Sequence, residues 1–218
     1  MTANCPKPLL PVAGRPFLDY PVQSVLDAGF DRILLLAGYQ GEQVEDYAAG
    51  WRGRGVRIDC IVETEPAGTG GALHHARELL EETFLLLNGD SFFGFNPRDL
   101  ESIAPGEPWM AKIALRHLAD AGRYGAIETD GERITAFREK SAASAGLINA
   151  GTYLLNRAVL EAIPPPPSSI ERDVFPRLTA QRWVFGRAYH GEFIDIGVPD
   201  DFARAQSLFA SGMPKPVA

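Results

Sequence analysis

The sequence predicts an α/β domain built on a mixed, mainly parallel sheet. Short apolar runs at residues 32–37, 56–62 and 84–87 alternate with segments of helical periodicity, the pattern of successive βα units. After about residue 110 strand-like runs follow one another with fewer helices between them, which adds antiparallel strands to the parallel core. With 218 residues, 45% of them hydrophobic, the chain can bury one sizeable core, so residues 1–218 are expected to form a single domain.

The elements follow in order. Leu18, Val22, Val25 and Leu26 recur at helical spacing between Pro16 and Gly29, predicting a first helix whose opening turns Pro21 should weaken or bend. Residues 40–49 and 69–80 give two more helices, the second opened by the glycine-rich turn Gly68-Thr69-Gly70-Gly71. Residues 110–116, 124–129, 133–138 and 147–155 read as strands, with Asp130-Gly131 as a two-residue hairpin turn between the middle pair. Pro164 to Pro167 make a stiff surface connection. Helices near 171–180 and 199–210 close the fold.

Composition narrows the function classes. The 21 basic residues against 28 acidic ones give a net charge of −7, which argues against a nucleic-acid or anionic-membrane surface. Cys5 and Cys60 lack metal-type spacing and read as free thiols of a reducing compartment. No apolar run approaches the roughly 20 residues of a membrane span, and the amino terminus lacks a signal-type segment. A cytoplasmic protein is expected, and self-association stays open.

Chemistry concentrates at a few positions. Asp90 follows Asn88-Gly89 at the carboxyl end of an apolar run, where open α/β sheets bind their ligands. An acid there supplies a hard oxygen ligand, which suggests Mg²⁺-dependent phosphate chemistry. Asp195, in Phe193-Ile194-Asp195-Ile196-Gly197, reads equally as a second metal acid or as a helix cap or arginine partner. Lys7 is presented by stiff backbone among Pro6, Pro8, Pro11 and Pro16, although a lone lysine is usually a solvated charge. Glu139 and Lys140 end a strand and can serve one ligand only if the strand has already stopped. Gly151, in Asn149-Ala150-Gly151, marks either the approach of a sugar ring or a bulge. The turn at Gly68, Thr69 and Gly70 lets backbone approach a base or phosphate. Its likeness to a dinucleotide fingerprint fails at Leu73, which disfavours an NAD-dependent oxidoreductase. His74 and His75 point in different directions on a helix, a poor arrangement for a metal. A nucleophile elbow and a Walker lysine loop are both absent from the sequence.

Together these segments resemble the sugar-1-phosphate nucleotidyltransferases over nearly the whole chain. The segment from Pro6-Lys7-Pro8 to Pro16 is similar to the family's activator-lysine segment, Glu65 to Ala72 to its base-contact loop, and Asn88-Gly89-Asp90 to its metal turn. Arg123-Tyr124-Gly125, Glu139-Lys140, Asn149-Ala150-Gly151 and Asp195-Ile196-Gly197 follow in the family's order. Within the family the motifs look closest to the D-glycero-D-manno-heptose 1-phosphate guanylyltransferases.

The resemblance implies a Rossmann-like, three-layer α/β/α fold and a reaction between GTP, or another nucleoside triphosphate, and a sugar 1-phosphate. It implies Mg²⁺ on Asp90 and Asp195, Lys7 on the nucleotide phosphates and Lys140 on the sugar phosphate. It places Glu65, Gly68, Thr69, Gly70, Asn88 and Gly89 at the nucleotide, and Gly125, Glu139, Asn149 and Gly151 at the sugar. One departure stands out: the family's first strand and its glycine-rich triphosphate loop have no counterpart before Pro6-Lys7-Pro8. The sheet should then show two open edges where a central strand usually sits. Either the natural start lies upstream of Met1, which the otherwise intact site favours, or the protein is a sugar-nucleotide binding or regulatory protein that cannot activate the triphosphate.

Overall fold

A computed structural model describes residues 4–138 and 145–217. A 3₁₀ turn at Lys7–Leu9 leads into the short hairpin of β1 (Pro11–Val12) and β2 (Arg15–Pro16). There follow α1 (Asp19–Asp27), β3 (Arg32–Ala37), α2 (Gly41–Ala49), β4 (Arg57–Val62), α3 (Gly68–His75), β5 (Thr83–Leu87) and β6 (Ser91–Phe93). The second half comprises β7 (Ala111–Leu118), β8 (Ile127–Asp130), β9 (Arg133–Phe137), β10 (Gly146–Asn156), α4 (Phe175–Ala180), β11 (Val184–Tyr189), β12 (Phe193–Asp195) and α5 (Pro199–Phe209).

Local chemistry explains most of these boundaries. Pro21 is the third residue of α1, within the first turn, where a backbone N–H has no intrahelical acceptor to lose. The helix expected over 69–80 stops at His75, and a separate 3₁₀ turn covers Arg77–Leu79. The helix expected near 171–180 opens as a π turn at Ile170–Val174 before α4. Asp130 pairs with Arg133, so the hairpin turn is Gly131-Glu132, one residue later than expected.

The sheet is mixed. Six strands run in the order β5-β10-β7-β11-β9-β8, with a further contact between β10 and β8. Only β7 with β11 and β3 with β4 are parallel among the described residues; the other ladders are antiparallel. The expected preponderance of parallel pairs is therefore corrected. Parallel neighbours need a long crossover, and beyond residue 110 short connections mostly turn the chain back on itself.

The β3–β4 ladder pairs with no strand of the six-stranded sheet among the described residues. One edge of β3 and one edge of β5 thus have no strand partner among the described residues. Leu36 of β3 and Leu86 of β5 pack on the same core, and Arg32 reaches Glu81 at 3.2 Å. Leu34, Leu35 and Leu36, and likewise residues 84–87, are nonetheless only half-buried.

One face of the large sheet packs Ile113, Leu115, Tyr153 and Leu155 against α3, α4 and the π turn. The opposite face packs Ala114, Ile148 and Phe185 against Phe93, Phe95 and the 3₁₀ turn Pro97–Ser102. A third cluster gathers Val12, Phe17, Tyr20, Phe92, Ile194 and Phe209, with Tyr20 stacked on Phe209 at 3.7 Å. That cluster ties the N-terminal hairpin to α5, where Gln206 donates to Pro11 O and accepts from Ala13 N. The Tyr20 hydroxyl donates to Val12 O at 2.9 Å inside it. Tyr20→Phe leaves a buried carbonyl without that donor, and urea denaturation should show a loss of about 1–2 kcal/mol.

Candidate active site

β5, apolar from Phe84 onward, ends at Leu87, and Asn88-Gly89 turns the chain into Asp90 and β6. Asn88 N donates to Gly151 O at 2.8 Å, which pins the turn to β10. β6 runs antiparallel to β12 with Ser91 opposite Asp195, and Ile196 N donates to Asp90 O at 3.0 Å. Asp90 and Asp195 are therefore brought together at neighbouring strand ends, as expected. Burial is the main cause that lifts the Asp195 carboxyl above the ordinary carboxylate range, and the charge of Asp90 adds to it. Its Oδ1 accepts from Gly197 N at 2.7 Å.

Lys7 Nζ lies 3.2 Å from Asp90 Oδ2, both side chains partly exposed. The lysine sits on the Lys7–Leu9 turn, held by Leu10 N to Lys7 O at 3.1 Å and by Leu18 N to Pro8 O at 2.8 Å. An open cleft of about 450 Å³ borders Asp195 and is lined by Arg123, Tyr124, Gly197 and Val198. Arg123 is braced by Asp201 at 2.8 Å. Gly125 is the residue after Tyr124 in sequence.

The glycine-rich turn packs against the Ser168 segment. A Cβ on Gly68 would lie 2.4 Å from Ser168 O, and one on Gly70 would lie 2.7 Å from Ser168 Oγ. Gly70 N donates to Ser168 O and Ser168 N to Ala67 O. These two glycines admit the Ser168 backbone. The Thr69 hydroxyl donates to Glu171 Oε2 at 2.8 Å and accepts from Ile170 N at 3.0 Å. Glu65 and Thr69 are exposed on this loop.

Gly151 is a bulge. The register of β10 slips between Asn149 and Tyr153, Gly151 has φ 72°, and its N–H donates to Asn149 Oδ1 at 2.9 Å. A Cβ there would meet the Asn88 side chain at 2.9 Å, so the bulge seats the Asn88-Gly89-Asp90 turn against β10. Glu139 and Lys140 lie outside the described residues.

Sequence reasoning missed Glu171, Tyr153 and the Arg123 side chain as parts of this site. Arg123 belongs to the Arg123-Tyr124-Gly125 motif. Glu171 carried no signal beyond an acid two residues after Ser168-Ser169.

Two carboxylates that repel one another, one of them neutralised by an ammonium group, make a place where a divalent cation fits. Nucleotide-bound Mg²⁺ takes one or two protein carboxylates and fills its shell with phosphate oxygens and water. No cluster of three or more His, Cys, Asp or Glu suited to a metal occurs among the described residues. The pair therefore suits an ion shared with substrate better than a closed protein cage.

Residues 1–212 match the nucleotidyl transferase family. The chain belongs to that family. This nucleotidyl transferase is 35% identical over 208 residues to the D-glycero-alpha-D-manno-heptose 1-phosphate guanylyltransferase of Aneurinibacillus thermoaerophilus, covering 94% of this chain and 90% of that protein. It is 32% identical over 219 residues to the mannose-1-phosphate guanylyltransferase catalytic subunit beta of Drosophila melanogaster. That match takes in 98% of this chain and 59% of the fly protein. In structure it is similar to HddC from Yersinia pseudotuberculosis complexed with GMP-PN, with a TM-score of 0.82 at 29% identity over 95% of this chain and 91% of that one. No helix among the described residues is long and apolar enough to cross a membrane.

Proposed function

We propose that the protein transfers guanylate from GTP to a sugar 1-phosphate, with D-glycero-D-manno-heptose 1-phosphate as the first candidate, releasing pyrophosphate and a GDP-sugar. The reading rests on Asp90 and Asp195 lying side by side with Lys7 at the carboxyl end of the apolar strand β5. The guanylyltransferases among its relatives supply the base and the sugar class.

A sugar phosphate oxygen attacks the α-phosphorus of GTP, forming a P–O bond as the bond to pyrophosphate breaks. The protein's task is to neutralise converging anions and to hold attacker and leaving group in line. Asp90 and Asp195 would hold Mg²⁺, which supplies charge stabilisation at the phosphate oxygens. Lys7 leaves its contact with Asp90 to meet the nucleotide phosphates, and Lys140 meets the sugar phosphate. Gly68, Thr69 and Gly70 offer backbone to the base, with Glu65 beside them; Asn88 and Gly89 shape the turn under the nucleotide. Gly125, Glu139, Asn149 and Gly151 border the sugar, and a homo-oligomer is compatible with all of this.

The test is pyrophosphate release with GTP, Mg²⁺ and a panel of sugar 1-phosphates. Turnover with the heptose phosphate supports the reading. Tight GDP-sugar binding without turnover on any sugar would instead favour a binding or regulatory protein. Lys7→Ala should lower kcat/KM for GTP roughly 10–100-fold, the worth of a charged hydrogen bond. Its effect on stability should stay below about 1 kcal/mol, because the pair with Asp90 is partly solvated. Steady-state kinetics and thermal melts together check both halves of that expectation.

A further inference from the structure

Three hydroxyl groups converge on Glu171, and the direction of each hydrogen bond is fixed by the group behind it. The Thr69 hydroxyl accepts from Ile170 N at 3.0 Å, so its proton goes to Glu171 Oε2 at 2.8 Å. The Ser169 hydroxyl accepts from Arg172 N at 3.3 Å, so its proton goes to the same oxygen at 2.9 Å. The Tyr153 hydroxyl accepts from Asn149 Nδ2 at 3.0 Å and donates to Glu171 Oε1 at 3.4 Å. The two carboxyl oxygens of Glu171 accept all three bonds between them. Tyr153 is fully buried, and burial first, then the charge of Glu171, holds its phenol protonated.

The two ends of this network belong to different halves of the site. Thr69 lies on the loop assigned to the nucleotide, while Asn149 holds the Gly151 bulge that seats Asn88 and borders the sugar side. We propose that Glu171 is a positioning residue that locks the nucleotide loop to the sugar-side bulge, so that filling one half preorganises the other. The coupling rests on the guanylyltransferase reading; the mechanical link between the halves does not.

Glu171→Gln tests both. Its amide oxygen can keep Thr69 and Ser169, but its amide nitrogen then faces a Tyr153 hydroxyl that needs an acceptor. Amide exchange without ligand should show faster exchange at Gly151 in Glu171→Gln, and at both Gly151 and Ile170 in Glu171→Ala. Tyr153→Phe should affect Gly151 alone. Titration of a GTP analogue with an uncleavable α–β bond in Mg²⁺ buffer, with and without the heptose 1-phosphate, should show a coupling of about fivefold or more in the unaltered protein. Glu171→Gln should abolish that coupling while changing GTP affinity alone by less than about twofold.

If exchange in Glu171→Ala rises only around Ile170, or rises evenly along the chain, the lock is overturned. It is also overturned if the coupling survives in Glu171→Gln. If the exchange pattern holds while the unaltered protein binds neither GTP nor the sugar phosphate, the lock stands and the proposed reaction falls.

Discussion

Asp195→Asn should make the protein more stable and its reaction about 10²–10³-fold slower, the scale of loss when one preorganised electrostatic group is removed from a site. The two effects have one origin. The Asp195 carboxyl is held above the usual carboxylate range by burial first and by the Asp90 charge second, against the opposing pull of Gly197 N–H and Lys7. A carboxyl whose pKa is raised on folding binds its proton more tightly in the folded state, so its ionised form opposes folding. That cost is full above the folded pKa and vanishes as pH falls below the unfolded value of about 3.9.

Asparagine keeps an oxygen for Gly197 N, 2.7 Å away in the unaltered protein, and removes the repulsion from Asp90. The Tm of the variant should therefore exceed that of the parent at pH 7, with the gap closing toward about pH 4. At the proposed metal site the same missing charge would weaken the hold on Mg²⁺, so pyrophosphate release should fall and need more metal. Unchanged turnover would remove Asp195 from the proposed metal pair. A lower Tm at pH 7 would mean that its charge supports the fold rather than the chemistry.

Ordered motifs located the acids and the lysine because each is delivered by a strongly patterned neighbour. The apolar runs of β3, β4 and β5 read directly as strands, and the strand end of β5 placed Asp90. β11 was not legible. Gly186 and Arg187 interrupt its pattern, and the structure gives the reason for the glycine: a Cβ there would lie 2.9 Å from Leu115 Cδ1 and 3.0 Å from Ile134 Cδ1. A central strand gave up a side chain to fit its neighbours.

The glycines near Thr69 show a related limit. Composition could say that something approaches closely at Gly68 and Gly70, but a segment one hundred residues away, not a ligand, fills the space nearest their missing side chains. Glu171 was hidden for the same reason, since its partner Thr69 is 102 positions distant. Local pattern reveals which backbone is special; only the fold reveals what it is special for.

Gly191→Ala should be among the most damaging single substitutions outside the catalytic groups. Gly191 lies in the turn between β11 and β12, and a Cβ there would sit 1.8 Å from the Gly94 carbonyl oxygen and 2.5 Å from its carbon. Neither obstacle is a side chain that can swing aside. Gly94 N donates to Glu192 O at 2.8 Å, while Gly94 O accepts from Val217 N at 3.1 Å, so its peptide is held on both sides. Relief requires the turn to move off β6, which breaks the Gly94–Glu192 bond and strains the pairing of Phe93 with Phe193 and Ser91 with Asp195. Overpacking without a route for relaxation should cost about 3 kcal/mol or more.

Gly106→Ala provides the comparison, because that glycine has φ 81° but nothing within 4 Å of an added Cβ. It should cost only the backbone strain, about 1–2 kcal/mol. If urea denaturation gave the two variants equal losses, the turn would be relaxing away from Gly94 and the contact would not be the obstacle at Gly191, which has no positive φ of its own. The functional consequence follows from the same ladder: Asp90 and Asp195 meet only because β6 and β12 are in register, and that register is set by two backbones touching where neither has a side chain. Any Gly191→Ala protein that still folds should therefore need more Mg²⁺ for half-maximal turnover, even though the substituted residue is four positions from the nearer acid in sequence.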